Sequence, residues 1–280
     1  MDHPFADLLR PRLRISMKEI TSNENRIVKH VRRLRKRKYR DEEGLFLIEG
    51  RKNVAEAVSS GASVRMLFYR EGEDPEEAGF PEYAGFSDEY VLPKELFRKV
   101  SDTEESQGIL AVVEKPRFSA EDLLNADRDG GNLVVLDQLQ DPGNVGTILR
   151  TALGAGYEAA VILPGTCDVF SPKTVRATAG AVFTIPIVFV RDDRELLELV
   201  HGIGKKLAVT SVVDGINYYE ADIRENTALV IGNEGNGVRE SLLRNADVRL
   251  TIPMEGGLES LNASVAAGIL MYEAMRRRKS

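Results

Sequence analysis

Among 280 residues there is one cysteine, Cys167, and only three histidines, His3, His30 and His201. A single thiol excludes an intrachain disulfide and any cysteine-rich zinc site. The histidines share no ligand spacing with that thiol or with one another, so no metal is expected. Long apolar runs are missing as well. The longest, Ala181–Val190, is broken by Thr184 and Pro186 and falls far short of the ~20 residues of a membrane span. Met1-Asp2-His3-Pro4 is not the charged-then-apolar opening of a signal peptide. There is no internal repeat and no low-complexity tract. These absences predict a soluble cytoplasmic protein with no membrane partner.

What is present is ordinary globular composition, 42% hydrophobic and 29% charged, on a chain long enough for two domains. The formal charge of −6 would argue mildly against nucleic acid, but it averages over a split. Residues 10–40 hold thirteen Lys/Arg against Glu19 and Glu24, a net of +11, which leaves −17 for the rest. The chain is a basic arm on an acidic body.

Ser22 or Asn23 is expected to cap a helix with Ile27, Val31 and Leu34 on one face, and Arg32, Arg33, Arg35, Lys36, Arg37 and Lys38 elsewhere. Asp41–Gly44 stops it. Leu45–Ile48, Val64–Tyr69 and Ile109–Val113 read as strands, a helix through Val54, Ala57 and Val58 ends at Gly61, and Glu71–Gly85 is a surface loop. From residue 133 onward, strands at Leu133–Asp137, Ala160–Leu163, Ile185–Val190, Leu207–Val212, Leu229–Ile231 and Val248–Ile252 alternate with helices. Those helices are expected near Val145–Leu153, Pro172–Ala181, Arg194–Ile203, Val238–Asn245 and Leu261–Met275. This rhythm predicts a mostly parallel sheet covered on both faces, with ligands outside the carboxyl ends of its strands.

Three segments after strands concentrate polar residues. In Asp137–Ala152 a tight Asp141-Pro142-Gly143 turn leads into a helix with Asn144 near its cap, and Arg150 is a lone charge among Ile148, Leu149, Ala152 and Leu153. Taken alone, this admits a simple cap and a surface arginine as readily as a site. Gly232-Asn-Glu234-Gly235-Asn-Gly237 follows a buried strand, and its glycines permit positive φ and close backbone approach. The order Gly-x-x-Gly-x-Gly is not the dinucleotide fingerprint, which argues against a dehydrogenase. In Leu250–Ala266 a glycine loop leads from Ile252-Pro253 to Glu259, Ser260, Asn262 and Ser264 at a helix start. Ser260 serves as the expected cap, and Leu261, Val265 and Ile269 form the helix's apolar face.

Together, Asn144–Ala152, Ile231–Val238 and Ile252–Ala266 resemble, in order and separation, the three motifs of the SpoU (TrmH-type) RNA ribose 2′-O-methyltransferases of the SPOUT superfamily. Phe46–Ala57 and Asp102–Ile109 resemble the small substrate-binding domain of many members, so the likeness covers roughly residues 18–278. Ala263 departs from the valine that many members carry. The resemblance implies an N-terminal extension at 1–17, a small N-terminal α/β substrate-binding domain with its basic helix at 18–115, a linker at 116–131 and a methyltransferase domain at 132–280. In the last, a C-terminal mostly parallel sheet carries a deep trefoil knot that forms the cofactor pocket.

The implied cofactor is S-adenosylmethionine, with Gly232, Ile252 and Leu261 as backbone contacts and Glu234 and Gly237 in the same pocket. Catalysis would fall to Arg150, with Asn144, Ser260 and Asn262 orienting it and the ribose, in a homodimer whose interface completes the site. Arginine's pKa above ~12 makes it a poor base, so a charge-assisted hydrogen bond to the developing alkoxide is the safer role. The basic run Arg32–Lys38 is either a solvated helix face or a phosphate grip, and the second suits an RNA substrate, ribosomal RNA before transfer RNA. A non-catalytic RNA-binding protein that keeps the fold is the alternative from another class.

Overall fold

The computed structural model describes residues 17–73, 86, 88–103, 105–124, 130–256 and 259–278. The expected extension before Met17, the acidic loop beyond Glu73, Asp127–Asp129 of the linker and Gly257-Leu258 lie outside these residues. The chain forms two compact units, Met1–Lys115 with Phe170–Arg176, and Pro116–Val169 with Ala177–Ser280.

The first unit opens with β1 (Lys18–Glu19), α1 (Arg26–Arg33), α2 (Arg37–Glu43), β2 (Leu45–Glu49) and α3 (Arg51–Ser59). It continues with β3 (Val64–Arg70), β4 (Asp88–Leu92), α4 (Lys94–Val100) and β5 (Ile109–Glu114). The sheet is mixed, in the order β1-β4-β3-β5-β2, with β5 antiparallel to both neighbours. Sequence patterning misses β1, β4 and α4. Val28, Val31 and Leu34 pack with Leu96, Phe97 and Val100 over Phe68, Leu110 and Val112.

The single basic helix expected over this arm is two helices. Asn25, rather than Ser22 or Asn23, caps α1, its Oδ1 accepting from Ile27 N at 2.8 Å. Lys36 is extended (φ −96°, ψ 132°) and breaks the run. The buried Arg40 guanidinium donates to Leu34 O at 2.7 Å, satisfying a carbonyl left over where α1 ends. Gly44, at φ 66°, closes α2 in the left-handed region.

The second unit contains α5 (Ala120–Leu124), β6 (Leu133–Leu136), α6 (Pro142–Gly154), β7 (Ala159–Ile162) and α7 (Pro172–Thr178, whose first turn groups with the first unit). There follow β8 (Ile187–Phe189), α8 (Asp193–Gly202), β9 (Lys206–Thr210), β10 (Ile216–Asn217), β11 (Thr227–Ile231), α9 (Glu240–Arg244), β12 (Val248–Thr251) and α10 (Ala263–Arg278). Every pairing in the seven-stranded sheet β10-β12-β9-β11-β6-β7-β8 is parallel. Each residue of β6, β7 and β11 is buried, as continuous apolar strands of a sheet covered on both faces must be. One face packs on Leu123, Leu196, Leu199 and Leu242, and α6 packs against β7 and α10. The segment expected to be a bare linker thus contributes α5, and Leu123 enters the core.

Two helix starts differ from expectation. Asp141 caps α6, its Oδ1 accepting from Asn144 N at 2.8 Å, so Asn144 lies inside the first turn. Asn262, not Ser260, caps α10, accepting from Ser264 N at 2.9 Å and Val265 N at 3.3 Å. The buried stripe of α10 is Ala263, Ala267, Leu270, Met271 and Ala274, while Val265 is 50% exposed. α6 reaches α10 at Gly268 and Tyr272, which lie beside Thr151 and Gly154.

Candidate functional site

β12, β9 and β11 are neighbours in the sheet, and their carboxyl ends surround a cleft of about 620 Å³. Thr210 ends β9 and Ser211–Val213 follow it, Gly232–Val238 follow β11 and Ile252–Met254 follow β12, with Glu259–Leu261 closing the cleft. Gly232, Glu234, Gly237, Ile252, Ser260 and Leu261, from the second and third segments, all line it.

The loop after β11 is a tight hairpin. Asn233 and Gly237 exchange both backbone hydrogen bonds at 2.9 Å. Asn233 Oδ1 accepts from Gly235 N and Asn236 N, both at 2.9 Å, and its Nδ2 donates to Gln138 O at 2.8 Å. Gly237 needs its glycine for φ 70°. Gly232 needs its own for a different reason from the one its spacing suggests. A Cβ there would lie 2.3 Å from Val238 N, so its close approach is to its own loop.

Below the loop, the fully buried Asp137 accepts from Arg239 N at 2.9 Å and from Arg239 Nε at 2.7 Å. Arg239 also pairs with Asp193 and donates to Pro164 O at 3.0 Å. Sequence reasoning missed this anchor. Asp137 stood visibly at a strand end, but nothing in the sequence pairs it with a residue 102 positions away.

Asn144 is buried and uses both ends of its amide. Nδ2 donates to Glu234 Oε1 at 2.9 Å, and Oδ1 accepts from Asn262 Nδ2 at 3.0 Å. Glu234 also accepts from Gln140 N at 3.2 Å and Asp141 N at 3.4 Å. The Asn144 amide thereby ties the three segments together. Burial pushes the Glu234 carboxyl up, but the hydrogen bonds from Asn144, its own backbone, Gln140 and Asp141 outweigh this and hold it below the usual value.

Arg150 is exposed on α6, makes no hydrogen bond or ion pair among the described residues, and does not line the cleft. Ser260 is likewise exposed and unbonded among them. In the first unit Arg32, Arg33, Arg35, Lys36, Arg37 and Lys38 are all exposed. Several are already engaged. Arg33 stacks 4.1 Å over Tyr39, Arg35 pairs with Asp102 at 3.2 Å, and Arg37 with Asp41 at 3.4 Å.

Fold and site define a two-unit α/β protein whose ligand cleft lies at the carboxyl ends of a parallel sheet and is organised by three polar loops. Residues 131–272 match the SpoU rRNA Methylase family, and residues 25–111 match the MRM3-like substrate binding domain. The chain belongs to the SpoU rRNA methylase family. It is 37% identical to the 23S rRNA (guanosine(2553)-2′-O)-methyltransferase RlmP of Bacillus subtilis, over 91% of this chain and 98% of that protein. It is 30% identical to the 23S rRNA (uridine(2479)-2′-O)-methyltransferase of Streptomyces viridochromogenes, over 94% and 93%. The AdoMet-bound rRNA methyltransferase structure from Sinorhizobium meliloti superposes with a TM-score of 0.84 at 32% identity, covering 93% of this chain and 98% of that one.

Proposed function

We propose that this protein methylates a ribose 2′-oxygen of RNA, 23S ribosomal RNA in particular, using S-adenosylmethionine. The observation that carries the reading is the Glu234–Asn144–Asn262 chain, which joins all three family segments at the edge of one cleft.

The cleft suits this cofactor. At about 620 Å³ it lies within the range of roughly 300–1,000 Å³ typical of small-molecule sites. Among the described residues no lysine or arginine lines it, whereas Glu234 and Glu259 do. That lining favours a cationic sulfonium and disfavours the pyrophosphate of a dinucleotide. Backbone groups of Gly232, Ile252 and Leu261 would hold the purine and ribose, with Gly237 shaping the loop and Glu234 fixing the first segment from its rim. S-adenosylmethionine held there would supply a methyl already activated for attack by the 2′-oxygen, the C–S electron pair leaving to sulfur and the hydroxyl proton passing by way of the neighbouring phosphate to water. Arg150 donates charge-assisted hydrogen bonds to the developing alkoxide and its neighbouring phosphate, and Asn144, Ser260 and Asn262 orient the ribose.

Because Arg150 stands outside the cleft of its own chain, the reading includes a homodimer that brings the two together. Leu153 on α6 and Val265 and Tyr272 on α10 are 36%, 50% and 47% exposed, an apolar face beside Arg150 that a second copy would cover. The trefoil knot, the division at 1–17, 18–115, 116–131 and 132–280, the phosphate grip of Arg32–Lys38 and a cytoplasmic location belong to the same proposal.

The test is transfer of labelled methyl into RNA with ribose mapping. Arg150→Ala should lower transfer by at least 100-fold, on the order of a lost transition-state donor, with cofactor affinity by calorimetry retained. Near-normal turnover by this variant would sink the assignment.

A further inference from the structure

In the first unit, the break after α1 and the last turn of α4 flank a cleft of about 460 Å³ lined by Arg35, Arg98, Lys99, Ser101, Asp102 and Thr103. Its floor is fixed. The buried Glu49 accepts from Ser101 Oγ and Thr103 Oγ1, both at 2.6 Å, and from Asp102 N at 3.0 Å. The turn so held presents Asp102 to two guanidiniums, Arg35 at 3.2 Å and Arg176 at 3.0 Å. One carboxylate therefore serves two cations. Arg98 is 72% exposed and faces Glu95 at 3.7 Å, and Lys99 makes no ion pair among the described residues. Four cations, Arg35, Arg98, Lys99 and Arg176, meet three carboxylates, Asp102, Glu95 and the Glu49 of the floor, a net of +1 that leaves Lys99 unpaired among the described residues at the cleft.

A helix dipole explains why Arg98 and Lys99 suit the last turn of α4. It does not explain why Arg35, from the break between α1 and α2 in the middle of the basic run, opens onto the same cleft. We propose that this cleft is a further phosphate site for the RNA backbone, continuing the Arg32–Lys38 ridge across to α4. It rests on the reading that the substrate is RNA and extends it to Arg98 and Lys99, which no sequence pattern marked. Phosphate contacts of this kind fix register without reading sequence. The cleft thus positions the RNA, while chemistry occurs elsewhere.

The experiment measures affinity of the full-length protein for in-vitro-transcribed 23S ribosomal RNA across a salt series. Each phosphate contact contributes roughly 0.7–0.9 to the slope of log affinity against log salt. Arg98→Ala/Lys99→Ala should therefore reduce the slope by about 1.4–1.8. Arg191→Ala/Arg194→Ala removes the same charge from exposed positions at the start of α8, one just before it and one within its first turn, and should leave the slope unchanged. An unchanged slope in the α4 pair, or an equal drop in both pairs, overturns the proposal. Methyl incorporation by the wild type, assayed in parallel, reports separately on the enzymatic reading, because the slope is read without turnover.

Discussion

Asn262 Nδ2 donates to Asn144 Oδ1 at 3.0 Å, a bond whose direction is dictated by a residue that neither donor nor acceptor belongs to. The ionised Glu234 carboxylate only accepts, so the Asn144 amide must turn Nδ2 toward it and Oδ1 toward Asn262. Asn262 must then spend its amino group on Asn144 and its oxygen on the first turn of α10. The protonation state of one carboxyl thus sets the polarity of a chain running through three loops.

Replacing Asn144 with alanine removes a buried amide and takes a donor from the Glu234 carboxylate and an acceptor from Asn262. A loss of about 1–3 kcal/mol of stability is expected from such a break. Chemical denaturation measures it, and methyl transfer should fall more steeply than cofactor affinity if the residue orients the ribose.

The Glu234 carboxyl titrates lower in the folded protein than in the unfolded chain. Its contribution to stability is therefore complete above the unfolded value of about 4.3–4.5 and is lost as pH falls through the depressed one. Glu234→Gln should flatten the dependence of stability on pH below about 4.5 relative to wild type. Parallel profiles for the two proteins would show that Glu234 is not the group responsible.

Gly232→Ala places a methyl 2.3 Å from a backbone nitrogen that cannot move without opening the Asn233–Gly237 hairpin. Calorimetry should find cofactor affinity reduced by at least tenfold. The melting temperature should drop as well, because the strained loop is anchored through Arg239 to the buried Asp137. Gly235→Ala is the control. Its Cβ would meet nothing closer than 3.6 Å, and φ there is not positive.

Tyr272→Glu or Val265→Glu puts a charge on the half-exposed face of α10. Sedimentation velocity should show dissociation to monomers with the fold intact. Transfer should fall with it, since Arg150 then has no second cleft to enter. A monomeric wild type with full activity would contradict the interface.

The alternation of strands and helices after residue 133, the parallel sheet and the three site segments were legible because each is a local pattern: apolar runs, turn residues, and polar residues close together in the chain. The break at Leu34–Lys36 was not legible, since no glycine or proline marks it. It is stabilised by Arg40 reaching back to Leu34 O. Nor was the buried side of α10. Leu261, Val265 and Ile269 make as good an apolar stripe as Ala263, Ala267, Leu270 and Ala274, and only the tertiary packing selects the second.

The sequence by itself determined three polar segments in a recognisable order and spacing, and the basic arm hidden within a net charge of −6. The tertiary structure decided what those residues do to one another. It made Glu234 an organiser of the first segment, Gly232 a steric requirement of its own loop, and Arg150 an outlier to its own cleft. The physical reason is range. Helical and strand periodicity act over a few residues, whereas a hydrogen bond between residues 90 apart in the chain exists only once the sheet has brought its strand ends together.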